Sequence, residues 1–320
     1  MIQGLFSVSE VSRMIDEGLR LILAGVKETL QQLPAGNWIA GATPCYVSSG
    51  EPNEFSENQL YVNQLPEYIT QAEIKTYDAD HLKNIFKEGP ENGFTVLLLP
   101  FGSEALREYA LHAFDYENFG LVPLFGWVAG EGTNWASSHA DVVISGSDAK
   151  AHLNKAVVMH VGLPAGKYAE VHIHSPFKIR PDTAIVFDEN TTHPTDVLIN
   201  GEKRRLEEYM VSRNISFQYP LIANMAGINI CVSFYYDVKP LTTMGTALFK
   251  GLTYYFSEPD TDMRIWEIPH DRIYALCCLY YVLEPDPERL CQMTGPATYG
   301  EIGYQVVSQS IVYLTIGDVE

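Results

Sequence analysis

The chain has 320 residues, long enough for two domains, and its 46% hydrophobic and 19% charged residues are those of a globular protein able to bury a sizeable core. Forty Asp and Glu against 21 Lys and Arg give a formal net charge of −19, which repels phosphate backbones and anionic lipid and argues against nucleic-acid or membrane-surface partners. The five cysteines (Cys45, Cys231, Cys277, Cys278, Cys291) are odd in number and contain no C-x-x-C, so reduced thiols in a reducing compartment are expected. Early acids at Glu10, Asp16 and Glu17 and apolar runs of only about ten residues predict neither a signal peptide nor a membrane span, hence a cytoplasmic protein.

In chain order, Ser7-Val-Ser-Glu10 reads as a capping box. A helical pattern follows at Val11, Met14, Ile15, Leu19, Ile22 and Leu23, broken at Gly25 and resumed over Val26–Leu33. Residues 1–35 are therefore expected as an N-terminal helical segment. Trp38–Val47 predicts a strand interrupted at Gly41 and Pro44, and Ser48–Gln59 a loop. Asp78 caps a short helix over Ala79–Phe86. Phe94–Pro100 is a continuous apolar run of strand length, predicted to be central and buried on both faces. Ser103 caps a helix with Leu106, Tyr109, Ala110, Ala113 and Phe114 on one side. The next strand, Leu121–Gly132, completes a βαβ-like unit, an arrangement that places ligands at the carboxyl ends of its strands.

Short strands at Ala140–Ser145, Lys155–Leu163, Tyr168–Phe177, Ala184–Asp188 and Val197–Asn200 predict an antiparallel meander. A helix over Leu206–Val211, strands at Tyr219–Ala223 and Ile228–Asp237, a helix over His270–Leu283 and a last strand over Ser310–Ile316 complete the expected pattern. The boundary between two parts falls near Ser212–Gln218.

His172-Ile-His174 is the sharpest metal-like signal, because alternate residues of a strand share a face. With Gly166 it matches the opening G-x5-H-x-H of the cupin motif, but Pro176–Arg180 lacks the carboxylate that should follow. A third ligand would have to be His160 or His193. A solvated strand face with two polar residues competes with this reading. Gly162–Tyr168 is one residue short of a phosphate loop and has Tyr168 where Ser or Thr would hold Mg²⁺; a turn explains it better. Lys203-Arg-Arg205 is flanked by Glu202, Glu207 and Glu208 and reads as a solvated helix start.

Pro123-Leu-Phe-Gly-Trp-Val-Ala-Gly-Glu131 resembles the strand-and-loop pattern P-x-x-G-x-x-A-G-acid of the FIST family of presumed intracellular sensory domains. Ile39-Ala-Gly-Ala-Thr43 is similar to that family's early small-residue strand ending in Ser or Thr. Tyr299-Gly-Glu-Ile-Gly303, with Gln309–Thr315, resembles its G-E-I segment and last strand. Trp127 and Pro44 depart from the pattern, which uses small residues there. The resemblance implies an α+β fold of two consecutive mixed α/β halves, largely antiparallel sheets flanked by helices, over residues 36–212 and 213–320. It also implies small-molecule sensing, of amino acids among other ligands, with no catalytic residue to carry over.

Gly130-Glu131 and Gly300-Glu301 each put a carboxylate directly after a glycine at the end of a strand. A common cleft would then offer Glu131 and Glu301 as acceptors and Trp127 and Tyr299 as an aromatic wall, with Thr43 and Gly130 beside them, for an ammonium group held by charge and cation–π contact. Solvated acids on tight turns are the plainer reading. The expectation is a non-catalytic ligand-binding protein with no cofactor, signalling through a separate output protein. The alternative is a metal-dependent enzyme built on His172, His174 and His160.

Overall fold

A computed structural model describes residues 2–48, 51–56, 58–130, 141–225, 227–235, 238–260, 272–277, 295–298 and 300–319. Strands make up 47% of the protein and helices 13%, so the fold is dominated by sheets rather than balanced between the two. Four six-stranded sheets account for most of it. Among the described residues no helix is long and apolar enough to cross a membrane.

The central sheet runs Gln71–Tyr77, Ala156–Gly162, Gly93–Pro100, Leu124–Ala129, Gly300–Gly303, Gln305–Val307. Its two middle strands are parallel and buried along their whole length, as the uninterrupted apolar runs require. One face packs on the helix Glu104–His112 through Leu106, Tyr109 and Ala110. Ser103 starts that helix by accepting the Leu106 N–H at 3.0 Å.

The opposite face of the central sheet meets a second sheet, ordered Gln3–Ser7, Gln59–Gln64, Leu21–Gly25, Trp38–Ala42, Val143–Ser145, Lys150–His152. Phe94, Val96, Phe125 and Val157 from the first sheet interlock with Ile22, Ile39 and Tyr61 from the second. The far side of this second sheet carries the helix Val8–Asp16, whose capping box at Ser7 and Glu10 forms as expected.

A third sheet contains Lys167–His174, Ile311–Asp318, Ile273–Cys277, Gly295–Thr298, Cys45–Ser48 and Glu51–Glu54. Its Val171, Ile173, Val312 and Leu314 join the same inner core as the first two sheets. At Gly303 the approach is so close that an added Cβ would lie 2.6 Å from Ile173 and 3.3 Å from Val312. The fourth sheet, Glu202–Arg205, Asp196–Ile199, Phe177–Val186, Thr253–Pro259, Leu221–Met225, Ile228–Val232, has its own core under the helix Leu206–Ser212.

Several expected elements take other forms. The segment 1–35 is not a helical appendage: Gln3–Ser7 and Leu21–Gly25 are strands of the second sheet, and helix is confined to Val8–Asp16 and Lys27–Leu30. Gly18, at φ +78°, turns the chain out of the first helix and lets Leu21–Gly25 pair with strands on both sides. Residues 273–277 form a strand, not part of a helix; the rest of the helix expected at 270–283 lies outside the described residues except for Arg272. The expected meander is distributed instead, with Val143–Ser145, Ala156–Gly162, Lys167–His174 and Phe177–Val186 in four different sheets. Chain from both sides of the boundary near 212 shares the central and third sheets.

Candidate functional site

The parallel strand pairs of the second and central sheets end at the same place. Thr43 N–H donates to the Gly25 carbonyl at 3.0 Å, Phe101 N–H to Ala129 at 2.8 Å, and Gly130 N–H crosses between sheets to Ala42 at 2.9 Å. The carboxyl ends of Leu21–Gly25, Trp38–Ala42, Gly93–Pro100 and Leu124–Ala129 are thereby tied together. Thr43 is fully buried, with its hydroxyl on the Cys45 carbonyl at 3.3 Å.

Trp127 and Glu301 are directly opposite each other on antiparallel strands, so their side chains are neighbours on one face. That face points into the inner core. Trp127 is fully buried there, edge-on to Phe125, and its indole lies over Gly41 of the second sheet, where an added Cβ would sit 2.5 Å from Nε1. Glu301 is also fully buried. It occupies the seam where the second and third sheets meet on the central sheet, between the Trp127–Gly41 contact and the Gly303–Ile173 contact.

Among the described residues, neither Glu301 oxygen and not the Trp127 Nε1 has a hydrogen-bond partner. Burial pushes the Glu301 carboxyl well above its usual 4.5. The amide N–H groups of Glu301 itself and Ser310 pull the other way without making an aligned bond. Burial thus favours the protonated form of this acid over the charged one. Trp127 is likewise part of the core rather than an accessible wall.

Sequence reasoning missed three neighbours. Gln305 shares the Glu301 face, two residues from its cross-strand partner Val307; its Oε1 takes the Val306 N–H at 2.8 Å, while its buried Nε2 has no partner among the described residues. Ser310 directs its amide at Glu301, while its hydroxyl donates to the Ser308 carbonyl at 3.1 Å and lies beside the Cys231 thiol. Cys231 in turn reaches Ser175 Oγ at 3.1 Å, and burial pushes its thiol up to about 11. The signal was present in Gln305-Val-Val-Ser-Gln-Ser310, a polar run around two valines in an otherwise apolar stretch.

Of the six expected ligand residues, the structure thus brings Thr43, Trp127, Gly130 and Glu301 to one seam; Glu131 and Tyr299 lie outside the described residues.

The histidines do not converge. His160 is buried in the central sheet with Nδ1 on Thr95 Oγ1 at 2.9 Å and Nε2 on Tyr77 Oη at 3.1 Å, so both ring nitrogens are occupied. His172 and His174 stand in the third sheet, where both rings stack on Tyr313 at 4.6 and 5.5 Å and bond the Thr315 and Tyr313 hydroxyls. His193 lies in a loop beside Thr192. Among the described residues no group of three or more His, Cys, Asp or Glu side chains is placed to hold a metal ion.

A family profile matches residues 6–317, covering the first three sheets and the seam almost whole. The chain belongs to DUF6976, a family of unknown function. No curated protein matches it. In this DUF6976 chain the seam residues Thr43, Trp127, Gly130 and Glu301 all fall inside the matched span.

Proposed function

We propose that this DUF6976 protein is a FIST-like, non-catalytic small-molecule-binding protein of the cytoplasm that senses an amino acid or amine at the seam of its three inner sheets. The observation that carries the reading is the adjacent pair Trp127 and Glu301, fully buried and without polar partners among the described residues. Interiors pair the great majority of their buried polar groups, and each group left unpaired costs about 1–3 kcal/mol. A donor and an acid kept side by side in that condition suit a partner that comes from outside.

Position supports the same reading. The pair adjoins the carboxyl ends of four parallel-paired strands, where α/β sheets present their ligands. An ammonium group would donate to Glu301, and a carboxylate or carbonyl oxygen would accept from Trp127 Nε1. The three patches that carry the FIST resemblance lie on strands in mutual contact, two of them from the half 36–212 and one from the half 213–320. We assign the output to a separate signalling protein.

Thermal-shift screening against amino acids and small amines tests the proposal. At least one should stabilise the protein in a concentration-dependent way, by about 2.7 kcal/mol at a hundred times its Kd. Trp127→Phe, which removes the indole N–H, should weaken that response for ligands with an acceptor. If no amine or amino acid stabilises the wild-type protein, the proposal fails.

A further inference from the structure

We infer that the seam takes its cationic ligand in exchange for the Glu301 proton, so that occupancy rises with pH; this rests on the amine reading proposed above. Glu301 is enclosed on every side that the described residues show: Trp127 across the strand, Gln305 along the hairpin, the third sheet over Gly303, and Ser310 at the start of the last strand. No cation among them accompanies it, and among the described residues Cys231 is a titratable group that senses it, itself held neutral by burial. A lone carboxylate in such a place is strongly disfavoured, whereas a carboxylate with an ammonium against it is a neutral pair.

The exchange balances simply. As R–NH₃⁺ enters, the Glu301 O–H bond breaks, its electron pair stays on the carboxylate, and the proton leaves for solvent. The carboxylate then accepts hydrogen bonds from the ammonium, and the formal charge of the seam is zero before and after. A polar track leads outward from the acid: the Ser310 hydroxyl lies beside Cys231, whose thiol donates to Ser175 Oγ at 3.1 Å. Ser175 is only half-buried, so the track ends within reach of water. The amides of Glu301 and Ser310 favour the ionised form of the acid once a cation is present.

The test is proton release on adding methylammonium chloride to weakly buffered protein, read with a pH indicator against potassium chloride of equal ionic strength. About one proton per chain should appear at saturation, and apparent affinity should rise about tenfold per pH unit below the pKa of the acid. Glu301→Gln, which replaces one neutral side chain by another, should abolish the release. Infrared difference spectra of the wild type provide a second measurement, independent of any variant: the carboxylic-acid carbonyl band should vanish as methylammonium binds. Release no greater than with potassium chloride, release unchanged in Glu301→Gln, or a carbonyl band that persists in the bound state would overturn the exchange. If the amine screen still shows stabilisation in any of these cases, the ligand reading survives and only the exchange falls.

Discussion

Trp127 holds its place because Gly41 has no side chain. The indole fills the volume that a Cβ on Gly41 would occupy, and the two strands come from different sheets, so neither can give way alone. Filling that space forces the ring off its rotamer or the sheets apart, an overpacking that typically costs about 1–3 kcal/mol. Gly41→Ala should therefore lower the urea midpoint with little change in slope, and a variant within about 0.5 kcal/mol of wild type would show that the indole is not wedged. Both Trp127 and Glu301 could be picked from the sequence as chemical handles among glycines. Their burial could not, because it depends on Gly41 and Ile173, which reach them from strands distant in sequence. A glycine-rich strand exit and a strand that continues to Ala129 under two covering sheets read alike in one dimension.

Among elements, the central strands were the most legible. Gly93–Pro100 is apolar without interruption, and only a strand covered on both faces uses such a run. Leu21–Gly25 and Ile273–Cys277 were misread because short apolar runs fit a buried helix as well as a strand. The single polar break in the inner strand Ala156–Gly162 is His160, and it ties three strands together. Tyr77 gives its proton to Glu88 at 3.0 Å, so the Tyr77 oxygen accepts from His160 Nε2–H, and Nδ1 accepts from the Thr95 hydroxyl. Burial, followed by the nearby Lys75 charge, holds the ring pKa down at about 4 against an ordinary 6.5. Between those values the unfolded chain takes up a proton that the folded protein refuses. Stability conferred by the neutral ring is full above pH 6.5 and is lost as pH falls toward 4, by about 3 kcal/mol in total. His160→Gln should be less stable at pH 7 yet flatter across that window in denaturant titrations. Parallel slopes for the two proteins would remove His160 as the cause.

The second and central sheets share one plan. Read from the edge that starts with Gln3–Ser7 in one and Gln71–Tyr77 in the other, both pair their six strands in the sequence antiparallel, antiparallel, parallel, antiparallel, antiparallel. Neither is completed by its own stretch of chain. The hairpin Val143–His152, which finishes the second sheet, is inserted between strands of the central sheet, and the hairpin Gly300–Val307, which finishes the central sheet, arrives from the far end of the chain. Local periodicity shows strands but not which sheet receives them, so a boundary placed near 212 on turn signals says nothing about this interleaving. The physical consequence is that a fragment 36–212 would lack Gln3–Ser7 and Leu21–Gly25 from the second sheet, the Gly300–Val307 edge of the central sheet, and Ile311–Asp318, the partner of Lys167–His174. Leu124–Ala129 would become an open apolar edge, Trp127 would lose its cross-strand neighbour Glu301, and Ile173 would lose Gly303 and Val312. Expressed alone, 36–212 should show no cooperative urea transition and should aggregate, whereas the full chain should lose its first three sheets in a single transition. A soluble fragment with its own sharp transition would instead establish 36–212 as an independent folding unit and would separate the seam from the core that encloses it.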